Sequence, residues 1–216
     1  MNLRAALVLL ISGLGITTQP SLADPLNFTV TLIDVPGSRS TTAFGINNAG
    51  QIVGTYTDSA GNEHGFLDTN GTFTTLDFPG STGTAAYGIN NVGQIVGSYS
   101  GGTFLYQNGT YTPLNLPFPI GSKLAINDVG QTAGTSRDLR AFLYANGQVT
   151  FLPPYNSISS PYSFAYGINN AGAIVGVRDF NGIRFSLRLR EWLVRWYRRR
   201  YVDRLWHQQR WRYPDS

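Results

Sequence analysis

The 216-residue sequence predicts an all-β, β-propeller-like fold of about four four-stranded units. Three observations predict it: a ten-residue phrase that recurs four times, a second phrase built on Asn-Gly turns, and a composition rich in glycine and poor in charge. Charged residues are 13% of the chain, against roughly 25% in an average soluble domain. Abundant turn formers between short apolar runs favour strands over helices. Cysteine is absent, which excludes disulfides, thiolate catalysis and cysteine-ligated zinc together.

The elements follow in chain order. MNLR is a short basic start, Ala5 to Ile16 is an apolar run of 12, and Ser21-Leu22-Ala23 is a small-x-small cleavage site. Residues 1–23 therefore read as a signal peptide, with the mature chain starting at Asp24; an uncleaved anchor is the alternative. The run is shorter than the roughly 20 residues a membrane span needs. Export places the expected site of action outside the cytoplasm: extracellular, periplasmic or at the cell surface.

Residues 24–187 form the repeat domain. The first phrase appears as GINNAGQIVG (45–54), GINNVGQIVG (88–97), AINDVGQTAG (125–134) and GINNAGAIVG (167–176). Periods near 40 residues are those of propeller blades. Each copy reads as a hairpin, with Gly50, Gly93, Gly130 and Gly172 where a type I turn with a G1 bulge requires φ > 0. The second phrase follows as GFLDTNGTFTTLDFPG from Gly65, TFLYQNGTYTPLNLP from Thr103 and AFLYANGQVTFLPP from Ala141, and survives after the fourth copy only as IRFSL (183–187). Its Asn70-Gly71, Asn108-Gly109 and Asn146-Gly147 pairs are strong hairpin signals. Pro36-Gly37 and Pro79-Gly80 separate units.

The segment FTVTLIDVPG (28–37) matches FTTLDFPG (73–80), the last strand of a unit, while the fourth copy lacks that strand. The expectation is a ring in which the N-terminal strand completes the final unit and removes two open sheet edges. A ring left open would instead oligomerise.

The I-N-[ND]-x-G-x-x-x-G phrase followed by [GA]-F-L-Y-x-N-G resembles the HAF family of bacterial extracellular repeat proteins, over about Phe28 to Leu187. The resemblance implies an exported, propeller-like protein, often with a C-terminal Pro-Glu-Pro sorting signal, and it brings no catalytic residues. This chain has no such motif.

Candidate sites are few. Asn47, Asn90, Asn127 and Asn169 recur at one position, where a closed ring would gather their amides for a sugar or an ion; the competing reading is that they satisfy turn backbone. Asp34 and Asp77 recur before Pro-Gly as turn caps, and no acid pair of the kind glycoside hydrolysis uses stands outside the repeat pattern. Asp58, Glu63 and His64 share a loop that lacks the residue order of a calcium-binding loop. Asn27, Asn70 and Asn108 head N-x-[ST] triplets, read here mainly as turn composition. No catalytic set, metal site or cofactor is expected.

Residues 188–216 break the pattern. They hold nine Arg against three acids, a net +6, and all four Trp, whereas residues 24–187 hold six Lys/Arg against nine acids, a net −3. The basic pI thus belongs to the tail, and the acidic body gives no reason to expect a nucleic-acid partner. Leu189, Trp192, Leu193, Trp196 and Tyr197 fall at helical spacing beside Arg198, Arg199 and Arg200, a pattern that suits peripheral contact with an anionic membrane. An abrupt change in mid-unit is equally the mark of a frameshifted or truncated reading frame.

The expected function is an exported, non-catalytic binding or surface-structural module whose partner is an extracellular polysaccharide or protein. The alternatives are a carbohydrate-active propeller enzyme and a membrane-surface binder acting through the tail.

Overall fold

The computed structural model describes residues 30–121, 123–152, 162–180 and 183–189. Their regular structure is strand throughout, in three four-stranded sheets and one three-stranded sheet, each an antiparallel meander with its strands in chain order. The first sheet holds β1 (Ser40–Ile46), β2 (Ile52–Thr57), β3 (Glu63–Thr69) and β4 (Thr72–Leu76). The second holds β5 (Thr84–Ile89), β6 (Ile95–Tyr99), β7 (Gly102–Gln107) and β8 (Thr110–Pro113). The third holds β9 (Ala125–Ile126), β10 (Thr132–Thr135), β11 (Ala141–Ala145) and β12 (Gln148–Phe151). The fourth holds β13 (Ser163–Ile168), β14 (Ile174–Phe180) and β15 (Ile183–Leu189), and has three strands as the missing last phrase predicts.

Turn chemistry sets these hairpins. Gly50, Gly93, Gly130 and Gly172 have φ of 75°, 79°, 79° and 70°, and each closes its turn by donating to the carbonyl of the Asn three residues before. The Asn-Gly pairs take positive φ at both residues, 54° and 83° at Asn70-Gly71, as the type I′ turn demands. That turn joins strands with the right twist, so Thr69 pairs with Thr72 and the rest of β3–β4 follows in register.

A second pattern joins the two phrases. Gly54 lies opposite Phe66, Gly97 opposite Phe104 and Gly134 opposite Phe142. All three rings are fully buried. A Cβ on Gly97 would stand 2.0 Å from the Ala85 carbonyl oxygen and 2.5 Å from the Phe104 ring, so the backbone here approaches too closely for any other residue. In the fourth sheet Gly176 pairs with Leu187 and Phe185 lies opposite Arg178, so the pairing is displaced by two residues.

The apolar clusters lie between consecutive sheets. Val53 and Leu76 of the first sheet meet Ala86, Ile89 and Ile95 of the second. Val96 and Leu114 of the second meet Leu124, Ile126 and Phe142 of the third, and Ala133 and Ala141 of the third meet Ala165 and Ile174 of the fourth. Each of these junctions thus joins the trailing face of one unit to the leading face of the next. Burying one such Val, Leu or Ile side chain contributes about 1.5–3 kcal/mol.

The Pro-Gly breaks are type II turns: Ser38 N–H donates to Val35 O at 3.1 Å with Gly37 at φ 79°, and Ser81 N–H to Phe78 O at 3.0 Å with Gly80 at φ 77°. The strand expected over 28–37 is a correction. Residues 30–35 lie in no strand, with Val30 and Leu32 exposed, and the segment ends in the first of these turns. Its counterpart, Thr72–Leu76, is a strand because β3 precedes it and supplies a partner through a two-residue turn, whereas residues 30–35 pair with no strand among the described residues. Arg188 and Leu189, read from the sequence as the start of the tail, continue β15.

Candidate functional site

The asparagines of the first phrase form a ladder running from unit to unit. In the turn after β1, Asn47 Oδ1 accepts the N–H groups of Ala49 and Gln51 at 3.1 and 3.0 Å. Its Nδ2 donates to Gln51 Oε1 at 2.8 Å and to the Asn90 carbonyl, 43 residues on, at 3.2 Å. Asn90 repeats the arrangement, donating to Gln94 Oε1 at 2.7 Å and Asn127 O at 2.9 Å and accepting from Val92 and Gln94. Asn127 donates to Gln131 Oε1 at 2.8 Å and Asn169 O at 3.0 Å. An amide has two donor and two acceptor positions, and at Asn47 and Asn90 all four are engaged within the protein.

A parallel rail lies one residue further on. The N–H of Asn48 donates to Asn91 Oδ1, that of Asn91 to Asp128 Oδ1, and that of Asp128 to Asn170 Oδ1, at 2.8, 2.8 and 2.9 Å. Asp128 Oδ2 also receives Asn91 Nδ2 at 2.9 Å and Asn170 Nδ2 at 2.7 Å. The hydrogen bonds from Asn91 backbone and side chain, then from Asn170, hold the Asp128 carboxyl below its ordinary range. A carboxylate at this rung accepts from both neighbours, which an amide oxygen alone does less well.

Asn47, Asn90 and Asn127 are buried, whereas Asn169 is exposed. Asn169 still caps its own turn, accepting from Ala171 and Ala173, but Ala173 stands where Gln51, Gln94 and Gln131 stand in the other copies. The first three of the four thus each reach the next turn in succession through its asparagine carbonyl.

Of the acids, Asp34 caps its turn through Thr41 Oγ1 at 2.9 Å and Ser38 Oγ at 3.3 Å. Asp77 has a different task. Its two oxygens lie 2.9 and 3.0 Å from His64 Nδ1, while Asp58 Oδ2 lies 3.4 Å from His64 Nε2 and the imidazole stacks on Tyr56. Burial alone would lower the His64 pKa; the hydrogen bonds and charges of Asp77 and Asp58 together outweigh it and hold the pKa above the ordinary value. Asp58 also accepts from Asn62 N and Nδ2, which holds its carboxyl well below the usual range. The link between His64 of β3 and Asp77, 13 residues on and just past the end of β4, has no signature in the loop where sequence reading placed His64. Among the described residues no group of three His, Cys, Asp or Glu side chains is arranged to hold a metal ion.

A feature missed in the sequence is a row of aromatic bulges. The register of β1–β2 shifts at Phe44, that of β5–β6 at Tyr87 and that of β13–β14 at Tyr166, each just before a GIN phrase. The aromatic residue preceding Gly45, Gly88 and Gly167 was the available signal, with Leu124 replacing it in the third copy. Phe44 and Tyr87 lie 5.5 Å apart, Lys123 Nζ stands 3.8 Å over the Phe44 ring, and Ser98 Oγ donates to Tyr87 Oη at 3.0 Å. These groups, with Thr55 and Glu63, line an open cleft of about 440 Å³.

Trp192, Trp196, Arg198, Arg199 and Arg200 of the tail, and residues 1–23, lie outside the described residues. Among the described residues no helix is long and apolar enough to cross a membrane. No family model matches the chain, and no curated protein matches it.

Proposed function

We propose that the chain is an exported, non-catalytic scaffold, a propeller-like succession of four blades that remains open in the single chain and serves outside the cytoplasm as a binding or surface-structural module. The observation carrying this reading is the asparagine ladder. The polar residues that recur in each copy hold one turn to the next, so the repeat encodes architecture rather than four copies of a reactive group. The resemblance to HAF repeat proteins and the leader-like residues 1–23 support the address.

The partner we favour is an extracellular polysaccharide. The cleft offers the ring faces of Phe44 and Tyr87 beside the polar groups of Thr55, Ser98, Glu63 and Lys123, the mixture of apolar wall and few oriented polar groups that ligand sites use. Affinity electrophoresis of the purified chain through gels containing bacterial extracellular polysaccharides tests this. Retardation by at least one polymer, abolished in Tyr87→Ala and without release of reducing ends, is the expected result. Released reducing ends would refute the non-catalytic reading, and unretarded migration in every polymer would refute the choice of partner. For the address, residues 1–23 fused to a phosphatase active only after export should give phosphatase activity.

A further inference from the structure

The chain makes one kind of junction three times and carries the two unmatched halves of a fourth. At every internal junction a trailing face meets a leading face. The trailing position after the turn is Val53, Val96 or Ala133, at 0%, 0% and 1% exposure; the same position in the fourth sheet, Val175, is 48% exposed. The leading position is Ile89 or Ile126, each 8% exposed, or the partly buried Ile168, whereas its equivalent in the first sheet, Ile46, is 66% exposed. Ala43 is likewise exposed where Ala86 and Ala165 are buried.

The polar rails break at the same two places with opposite sign. At internal junctions Asn Nδ2 of one unit donates to the Asn carbonyl of the next, and the following N–H donates to an Asn or Asp Oδ1. In the fourth unit Asn169 Nδ2 and the Asn170 N–H have no such acceptor among the described residues. In the first unit the Asn47 carbonyl accepts only from Gly50 of its own turn, and Asn48 Oδ1 receives no donor among the described residues. One end has spare donors beside an exposed valine; the other has spare acceptors beside an exposed isoleucine.

We infer that the fourth unit of one copy docks on the first unit of a second copy, repeating the internal junction head to tail. Asn169 Nδ2 would reach the Asn47 carbonyl of the next copy, Asn170 N–H would reach its Asn48 Oδ1, and Val175 would pack against its Ile46. The occupant is specified by the chain itself, because the same trailing and leading faces recognise each other three times within it. A contact between two different patches propagates: it closes into a ring if the rotation permits and otherwise extends as a filament. This deepens the scaffold reading and rests on it only for where the assembly would operate.

Sedimentation velocity from about 1 to about 100 µM, bracketing a micromolar junction, tests it on the full chain and on the chain from Asp24. Concentration-dependent association in both is expected. Val175→Arg blocks the trailing face and Ile46→Arg the leading face, both at exposed positions, and circular dichroism with a thermal melt checks that each variant folds. Each variant alone should be monomeric. Mixed, they should form a one-to-one dimer that grows no further, because each retains the face the other lacks. A parent that stays monomeric, variants that still self-associate, a mixture that stays monomeric, or association lost with residues 1–23 would each overturn the inference. Polysaccharide retardation by Tyr87 is read separately, so failure of assembly and failure of the binding role are distinguishable.

Discussion

The second sheet and the fourth begin from nearly the same phrase, GINNVGQIVG and GINNAGAIVG, and end in different states. In the second, Val96 is fully buried, Asn90 is 3% exposed, and the Asn90 amide is held by Gln94 and by the next turn. In the fourth, Val175 and Asn169 face outward, and Ala173 replaces the glutamine. The difference teaches that the phrase has two separable roles. Its glycine and its Asn Oδ1 build the local turn, which both sheets possess. Its Asn Nδ2 and its valine act only when another unit lies across them.

That contrast can be broken hardest at the ring the second sheet buries. Phe104→Ala should destabilise by about 3–5 kcal/mol, since the ring fills the space over Gly97 and contacts Tyr111 at 5.2 Å. Chemical denaturation measures it, and a loss under 1 kcal/mol would mean that the sheet does not depend on the Gly–Phe pairing. Next comes the amide. Asn90→Ala should cost about 2–3 kcal/mol, because it strands the N–H groups of Val92 and Gln94 and the Gln94 side chain, whereas Asn169→Ala should cost about 1 kcal/mol or less. Equal losses at the two positions would show that bridging adds nothing to turn capping. The apolar pair sharpens the same point: Val96→Ala should cost about 2 kcal/mol and Val175→Ala less than about 0.5, at concentrations where the chain is monomeric.

The smallest effect is confined to the first sheet. His64 has a folded pKa above its unfolded value of about 6.5, so its pairing with Asp77 and Asp58 contributes fully below that pH. The contribution is lost as pH rises through the folded pKa. Melting temperature should therefore fall slightly between about pH 6 and pH 8 relative to His64→Gln, which lacks this titration. A difference that grows with pH would reverse the sign and refute the ion pairs.

Local chemistry was legible in the sequence and junction chemistry was not. The hairpins could be read because Asn-Gly and the Gly50-type turns fix backbone angles within four residues. The asparagines were seen but given two roles, ligand or turn; the bridge between turns is a third, and its acceptor lies 43 residues from Asn47. A clue was present in Ala173, the one substitution of the phrase's glutamine, in the copy whose amide reaches no further turn among the described residues. The segment at 28–37 misled because resemblance to a strand says nothing about whether a partner strand lies beside it.

The ladder also bears on how the chain reaches its structure. Every sheet is a meander of neighbouring strands, and each apolar cluster joins units adjacent in sequence, so the stabilising terms couple mainly nearest neighbours. A chain of that kind can nucleate in any one hairpin and spread outward by single rungs, with few distant segments to bring together. Opening should start where a rung is missing. Amide hydrogens of β14 should therefore exchange sooner than those of β6, whose sheet is clasped on both sides, and the order of exchange would trace the ladder from its loose end inward.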